Sequence, residues 1–289
     1  VRLRVSFTGA PADANPPARE AQSGALAGRS AGQVKKPKSF SQFKKELKGR
    51  KIKKVWRRAK NIIFDLSDDY SLLIHQKMTG HLLVGNWKLS NKNWEPVKKG
   101  PLGEKINLYI HLMFFLDDEL MIALSDVRKF AKIELWKTKD LLNSNEFKNL
   151  GPEPLEKDFN FKKFEGLFKN KKGKVKQVIM KPEFIAGIGN IYASESLWWA
   201  KIHPVRDVSK LNKRELKSLY ESIKKVLIMG VKLGGDSFSD YRNVDGKKGD
   251  FQNESKVYQK ENQKCVRCGT LIKKVKFGGR SAFSALSVR

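Results

Sequence analysis

Two patterns of apolar and polar positions divide the chain. Between residues 61 and 136, short apolar runs recur: NIIFDL, YSLLIHQKM, HLLVGNWKL, INLYIHLMFFL, LMIALSD and AKIELW. They are rich in β-branched and aromatic side chains and are separated by turn clusters such as SDD and DDE, which predicts an antiparallel sheet or sandwich. Past residue 159 the period lengthens. In NKRELKSLYESIKKVLIMG, residues Leu216, Leu219, Tyr220, Ile223, Val226 and Leu227 share one helical face, with Asn212 as the cap. A shorter helix is expected over SFSQFKKELKG, opened by Ser39 or Ser41 and stopped at Gly49. GPEPLEKDF, residues 151–159, reads as a hinge or linker, and a glycine-rich polar stretch leads to a terminal C-x2-C pair. There are no internal repeats. The plan is an α+β protein: a β-rich half, a helical half and a small metal-type appendage.

Residues 1–34 depart from this plan. They contain no lysine and are rich in Ala, Gly, Pro, Ser and Arg, whereas lysine is frequent from Lys35 onward. Without a periodic apolar face the segment is expected to be disordered. It reads either as an organellar transit peptide, being Arg- and Ser-bearing with few acids, or as sequence foreign to the rest. Its residue types are those encoded by GC-rich codons, whereas the rest favour AT-rich ones, and this supports the second.

Charge narrows the partners. Fifty-nine Lys and Arg stand against 30 Asp and Glu, a net charge of +29, which calls for a polyanion: nucleic acid first, an anionic membrane face second. No apolar run approaches the roughly 18 residues of a membrane span. The two cysteines, Cys265 and Cys268, are too close for an unstrained disulfide, which leaves metal or redox chemistry and a cytoplasmic setting.

The most informative segment is IAGIGNIYASESLWWAKIHP. Its glycines open a helix at Asn190, where free N–H groups and the helix dipole favour an anion. Just upstream, FKNKKGKVK gathers Lys169, Lys171, Lys172, Lys174 and Lys176. A lysine run alone is ordinarily a solvated face; lysines converging on an anion-binding helix start read as a phosphate clamp. A lone G-x-G also suits a dinucleotide loop, but the downstream acidic ribose ligand is missing.

With those residues in view, the sequence resembles the formamidopyrimidine-DNA glycosylase/endonuclease VIII family. RRAKNIIF, HQKMTGHLLV, SDVRKFAKIELW, LGPEPL, IAGIGNIYASESLWWAKIHP, FSDYRNVDGKKGDFQNESKVY and KCVRCG follow the family order over roughly residues 35–283. The resemblance implies a β-sandwich, incomplete here, over 35–150 and a helix–two-turn–helix DNA-binding domain over 151–237. A zinc β-hairpin region over 238–289 completes the set. It further implies a monomer that acts on double-stranded DNA in base-excision repair, removing oxidised purines and cleaving at the resulting abasic site. A bacterial-type, nucleoid-associated location follows from the same resemblance.

Flipping a base from the stack leaves a hole that must be filled. The resemblance assigns that task to Met78, Arg128 and Phe130. It assigns phosphate contacts to Lys171 and Asn190, and base recognition and elimination to Lys60. Arg280, in FGGR, is assigned to the lesion phosphates and the final elimination. A DNA-contacting histidine of the family falls at Tyr109 when the strand is aligned without gaps, with His111 on the same strand face.

Two family features are missing from the sequence as given. The family nucleophile is an N-terminal proline, whose amine has a pKa of about 8 and can form a Schiff base, followed by a glutamate. This chain starts VRLRV, so neither residue is in place and activity is not expected of it as written. Zinc is the expected cofactor, with Cys265 and Cys268 as ligands. The second C-x2-C, due about 15–20 residues later, is replaced by Ser284 and Ser287, and serine is a poor ligand beside thiolate. A one-base shift within codons for Phe-Cys-Pro-Lys-Cys-Gln would produce the observed ending. The leading expectation is therefore a glycosylase/lyase with altered ends. The alternatives are a catalytically inactive damaged-DNA-binding protein and, more weakly, a zinc-ribbon RNA-binding protein.

Overall fold

A computed structural model describes residues 4–6, 32–90, 93–238 and 240–285. The chain divides into a β unit, Val1–Phe147 with Asp236–Gly249, and a helical unit, Lys148–Gly235 with Asp250–Arg289.

The β unit opens with β1 (Arg4–Ser6), β2 (Val34–Lys36) and helix α1 (Phe40–Leu47). Next come β3 (Ile52–Arg58), β4 (Asn61–Leu66), β5 (Tyr70–His75), β6 (Gly80–Gly85), β7 (Trp87–Ser90) and β8 (Asn93–Pro96). It continues with β9 (Ile110–Phe115), β10 (Met121–Asp126), β11 (Lys132–Lys137) and the short helices α2 (Thr138–Asn143) and α3 (Asn145–Lys148). One sheet has the order β1-β9-β10-β6, another the order β2-β11-β5-β4-β3. Alternate side chains of both sheets meet in one core. Leu82, Leu112, Phe114, Ile122 and Leu124 come from the first, and Phe64, Leu66, Leu72, Ile74 and Leu135 from the second. This is the two-layer packing of a sandwich, with a period of two along each strand. Helix α1 closes the core with Phe43 and Leu47, and Ser39 caps it by accepting from the Gln42 N–H.

Three expectations change. Residues 1–34 were expected to lack order, yet Arg4–Ser6 pairs antiparallel with β9 and Val34 begins a strand parallel to β11. Most of that segment lies outside the described residues. Strand β3 was not foreseen because its pattern is polar. It is the edge of its sheet, where Lys53, Lys54, Arg57 and Arg58 discourage pairing with another chain. The 238–289 region is divided between the units. Val84 N–H donates to Val244 O at 2.8 Å, Asn107 Nδ2 to Gly246 O at 3.1 Å, and Arg242 pairs with Glu104 at 3.4 Å, fixing this return segment in the β unit.

The helical unit contains α4 (Phe161–Leu167), α5 (Val175–Ile179), α6 (Asn190–Ala200), α7 (Lys213–Lys232) and α8 (Phe251–Glu254). The hairpin β12 (Lys273–Phe277) and β13 (Arg280–Ser284) follows. Phe159, Phe164, Ile185, Leu197, Leu219 and Ile223 are among its core. Asn212 and Glu215 form a reciprocal capping box at the start of α7, as the pattern predicts. On α6, the buried Glu195 carboxylate accepts from Ser255 Oγ (2.7 Å) and from the N–H groups of Lys256 (2.8 Å), Val257 (3.0 Å) and Tyr258 (2.9 Å). That carboxylate fixes the strand of chain leading to the hairpin. Trp198, Val257, Cys265, Ile272, Phe283 and Ala285 form the hairpin's own apolar core.

Candidate nucleic-acid interface

In the β unit the predicted residues sit on two turns that leave their apolar side chains in solvent. Met78 is 70% exposed and Phe130 59%, so neither side chain is taken up by the core. Arg128 lies over the Phe130 ring, its guanidinium carbon 5.6 Å from the centroid. The Met78 turn is set by its backbone. Lys77 is left-handed with φ 58°, Gly80 N–H donates to Gln76 O at 3.1 Å, and Lys77 N–H donates to His75 Nδ1 at 2.9 Å. A Cβ on Gly80 would stand 2.6 Å from Gln76 O, so the turn requires glycine there. Burial, followed by Lys77, Lys60 and Lys132, pushes His75 down to about 4, which keeps its ring neutral and Nδ1 free to accept. Lys60 is exposed in the turn before β4, beside Asn61, which pairs with His75.

Tyr109 is not on a strand. It occupies the turn before β9 with φ −80° and ψ 49°, and is 39% exposed. His111 is half-buried, and its Nε2 donates to the Asp126 carbonyl at 2.9 Å, which is a packing role in this structure.

The residue that gathers these turns was passed over in the sequence. Asp126 is fully buried, and its carboxylate accepts from Thr79 Oγ1, Gln33 Nε2 (3.2 Å), Ala131 N–H (2.8 Å) and Arg128 N–H (3.3 Å). Its own N–H donates to Tyr109 O at 3.0 Å. Its signal in SDVRKF was an Asx-type residue at the start of a turn, but its partners are 47 and 93 positions away.

In the helical unit, Asn190 is the first residue of α6, capped by Gly189 with no side-chain bond. Its Oδ1 is buried and has no partner among the described residues, so the side chain is ready for a ligand donor. Lys171 is exposed with Lys169 and Lys172 around a basic bowl floored by Phe168, Leu211 and Leu216. Lys176 departs from the clamp reading: it is 2% exposed, and its Nζ donates to Ser194 Oγ at 2.8 Å and Ser281 O at 2.6 Å. Burial, with Arg280 adding repulsion, pushes its ammonium down to about 7. It ties α6 to the hairpin instead of facing solvent.

Arg280 is exposed directly after the hairpin turn. Gly278 and Gly279 have φ 56° and 70°, the two left-handed positions of a two-residue turn that aligns Phe277 with Arg280. A cleft of about 290 Å³ beside it is lined by Lys176, Gln177, Lys181, Glu183, Phe277 and Arg280. The arrangement favours an anion of phosphate size.

Cys265 is buried and Cys268 exposed, both as free thiols. Burial pushes the Cys265 thiol up. The Trp198 indole N–H, at 3.3 Å from its Sγ, and nearby backbone N–H groups outweigh this and hold it below the usual thiol range. Among the described residues no three His, Cys, Asp or Glu side chains converge, and the buried Ser284 occupies the third expected position. Ser287 lies outside the described residues. Two thiols are half of a tetrahedral zinc set, so the described residues do not by themselves fit the ion. No helix among the described residues is long and apolar enough to cross a membrane.

Comparison with known proteins matches all three regions. The formamidopyrimidine-DNA glycosylase N-terminal domain matches residues 23–133, opening inside the stretch expected to be unlike the family. The formamidopyrimidine-DNA glycosylase H2TH domain matches residues 150–242, and the zinc finger found in FPG and IleRS matches residues 262–284. The formamidopyrimidine-DNA glycosylase of Heliobacterium modesticaldum is 36% identical over 239 residues, covering 83% of this chain and 82% of the relative. That of Lactococcus lactis subsp. cremoris is 37% identical over 242 residues, with the same coverage. A solved complex between the Lactococcus lactis Fpg and an abasic site containing DNA aligns with a TM-score of 0.73 at 35% identity. It covers 85% of this chain and 84% of that one. The Lactococcus lactis FPG complex with Fapy-dG containing DNA aligns with a TM-score of 0.71, also at 35% identity and with the same coverage. Sandwich, helical unit and hairpin follow in one order, relatives 36% and 37% identical each cover 83% of the chain, and the chain belongs to the formamidopyrimidine-DNA glycosylase family of base-excision repair enzymes.

Proposed function

We propose that this chain binds duplex DNA at oxidised purines and abasic sites, excises the damaged base and cleaves the strand. The observation that carries the reading is the pair of solvent-exposed apolar side chains, Met78 and Phe130, flanking Arg128 on turns fixed by buried hydrogen bonds. Large apolar groups held out in water by an ordered scaffold suit insertion into a base stack, where flipping leaves a gap. The N–H groups at the start of α6, where Asn190 stands, the lysines around Lys171 and the exposed Arg280 supply donors for phosphates, which position a duplex without reading its sequence. Lys60 and Arg280 are the cations assigned to the elimination steps. Cys265 packs in the apolar core that holds the hairpin.

Borohydride trapping on an abasic-site duplex tests the reading. At an abasic site a neutral amine adds to the C1′ aldehyde, and loss of water gives an iminium; hydride from borohydride reduces it to a stable amine, leaving protein joined to DNA. A covalent adduct would establish the enzyme and show that the protein supplies an amine nucleophile that the VRLRV start does not. Tight binding to the abasic duplex with no adduct would leave a damaged-DNA-binding protein instead, and competition by RNA over damaged duplex would overturn the DNA reading itself.

A further inference from the structure

Met78, Arg128 and Phe130 belong to two separate turns, and neither apolar tip is held by the core. Something else must keep them in register. The buried hydroxyl of Thr79, the residue after Met78, donates to Asp126 Oδ1 and accepts from Arg128 N–H at 3.3 Å. Asp126 in turn takes the N–H groups of Arg128 and Ala131, which bracket Phe130, and its Oδ2 takes the Gln33 amide. Each partner of the carboxylate is a donor. A carboxylate is the side chain that accepts on both oxygens; an amide in its place would point a donor at a donor.

We propose that Asp126, acting through the Thr79 hydroxyl, is a positioning residue that locks the Met78 turn and the Arg128–Phe130 turn into one insertion unit. This rests on the hole-filling reading given above. The advantage is entropic: three side chains that must enter one gap together lose little freedom when their turns are already tied. Asp126 does not touch DNA in this account. Its effect is confined to duplexes that contain a gap, because an intact stack admits none of the three tips.

The test uses the full chain and two duplexes, one intact and one carrying a tetrahydrofuran abasic analogue. Thr79→Val removes a single hydroxyl at nearly constant volume. It is expected to lower the preference for the abasic duplex about tenfold, the loss typical of a hydrogen bond to a charged group. Affinity for intact duplex should stay at the wild-type value, and Thr79→Ser should restore the preference. Asp126→Asn should lower it in the same direction. Met78→Ala and Arg128→Ala are expected to show non-additive losses in the wild-type background and additive losses with Thr79→Val. Folded Thr79→Val and Asp126→Asn proteins that keep the full preference, while Met78→Ala loses it, would overturn the coupling and leave hole filling intact. Met78→Ala and Arg128→Ala proteins with unchanged preference would remove the hole-filling reading, and the proposal with it.

Discussion

Lys176 shows how a residue type misleads until its neighbours are known. In sequence it is one of five lysines in a row of phosphate candidates, yet its ammonium is buried between Ser194 on α6 and the Ser281 carbonyl on the hairpin. Its pKa of about 7 lies below the ordinary value of 10.5, so between those limits the unfolded chain binds more protons than the folded one. Stability therefore rises with pH across that window as the folded protein sheds the buried charge. Wild-type protein should gain about 2 kcal/mol between pH 7 and pH 9 that Lys176→Met lacks. Denaturant titrations of both proteins at the two pH values measure it, and parallel pH profiles would contradict the assignment. Met78 and Phe130 could be singled out in sequence from their motif context, and both side chains are exposed. Asp126 was not, because its meaning depends on Gln33 and Thr79, which only the folded sandwich brings to it.

At the scale of elements, the periodic segments were read best. Helix α7 carries both an apolar stripe and a local start signal at Asn212, and its buried face is the one the spacing marks. Asn212→Ala removes half of a capping box and should cost about 1 kcal/mol, seen as a lower denaturant midpoint with an unchanged slope. A loss below a few tenths would mean that solvent replaces the cap. The strands of the sandwich core were legible for the same reason, as apolar runs bounded by turns. Strand β3 was not, since an edge strand is stabilised by one neighbour and selected for charge on its open side. Residues 240–249 were also misplaced. Their glycines and polar groups suit a linker, and only the bonds from Val84 and Asn107 reveal a segment fastened to the β unit.

For the whole molecule, the net charge of +29 sets the character of binding more than any single contact does. Duplex affinity should fall steeply with salt, because each neutralised phosphate releases counterions. Lys171→Ala should weaken binding to every duplex alike and shallow the log–log salt slope by about 1. An unchanged slope would place Lys171 away from the phosphates. Lesion preference should be untouched by this substitution, which separates general attraction from recognition of the gap. The same division explains what the chain's composition could tell in advance. It announced a polyanion partner, whereas the damaged site depends on a few side chains whose geometry composition does not encode.

The Glu195 clamp has a consequence for descent. Four donors from residues 255–258 converge on one carboxylate of α6, and the apolar contacts around Trp198 continue the attachment into the hairpin. The carboxylate bonds of Glu195 thus attach this segment without calling on either thiol. Mutation can erode ligands one by one while the helix still carries the hairpin and Arg280 stays at its turn.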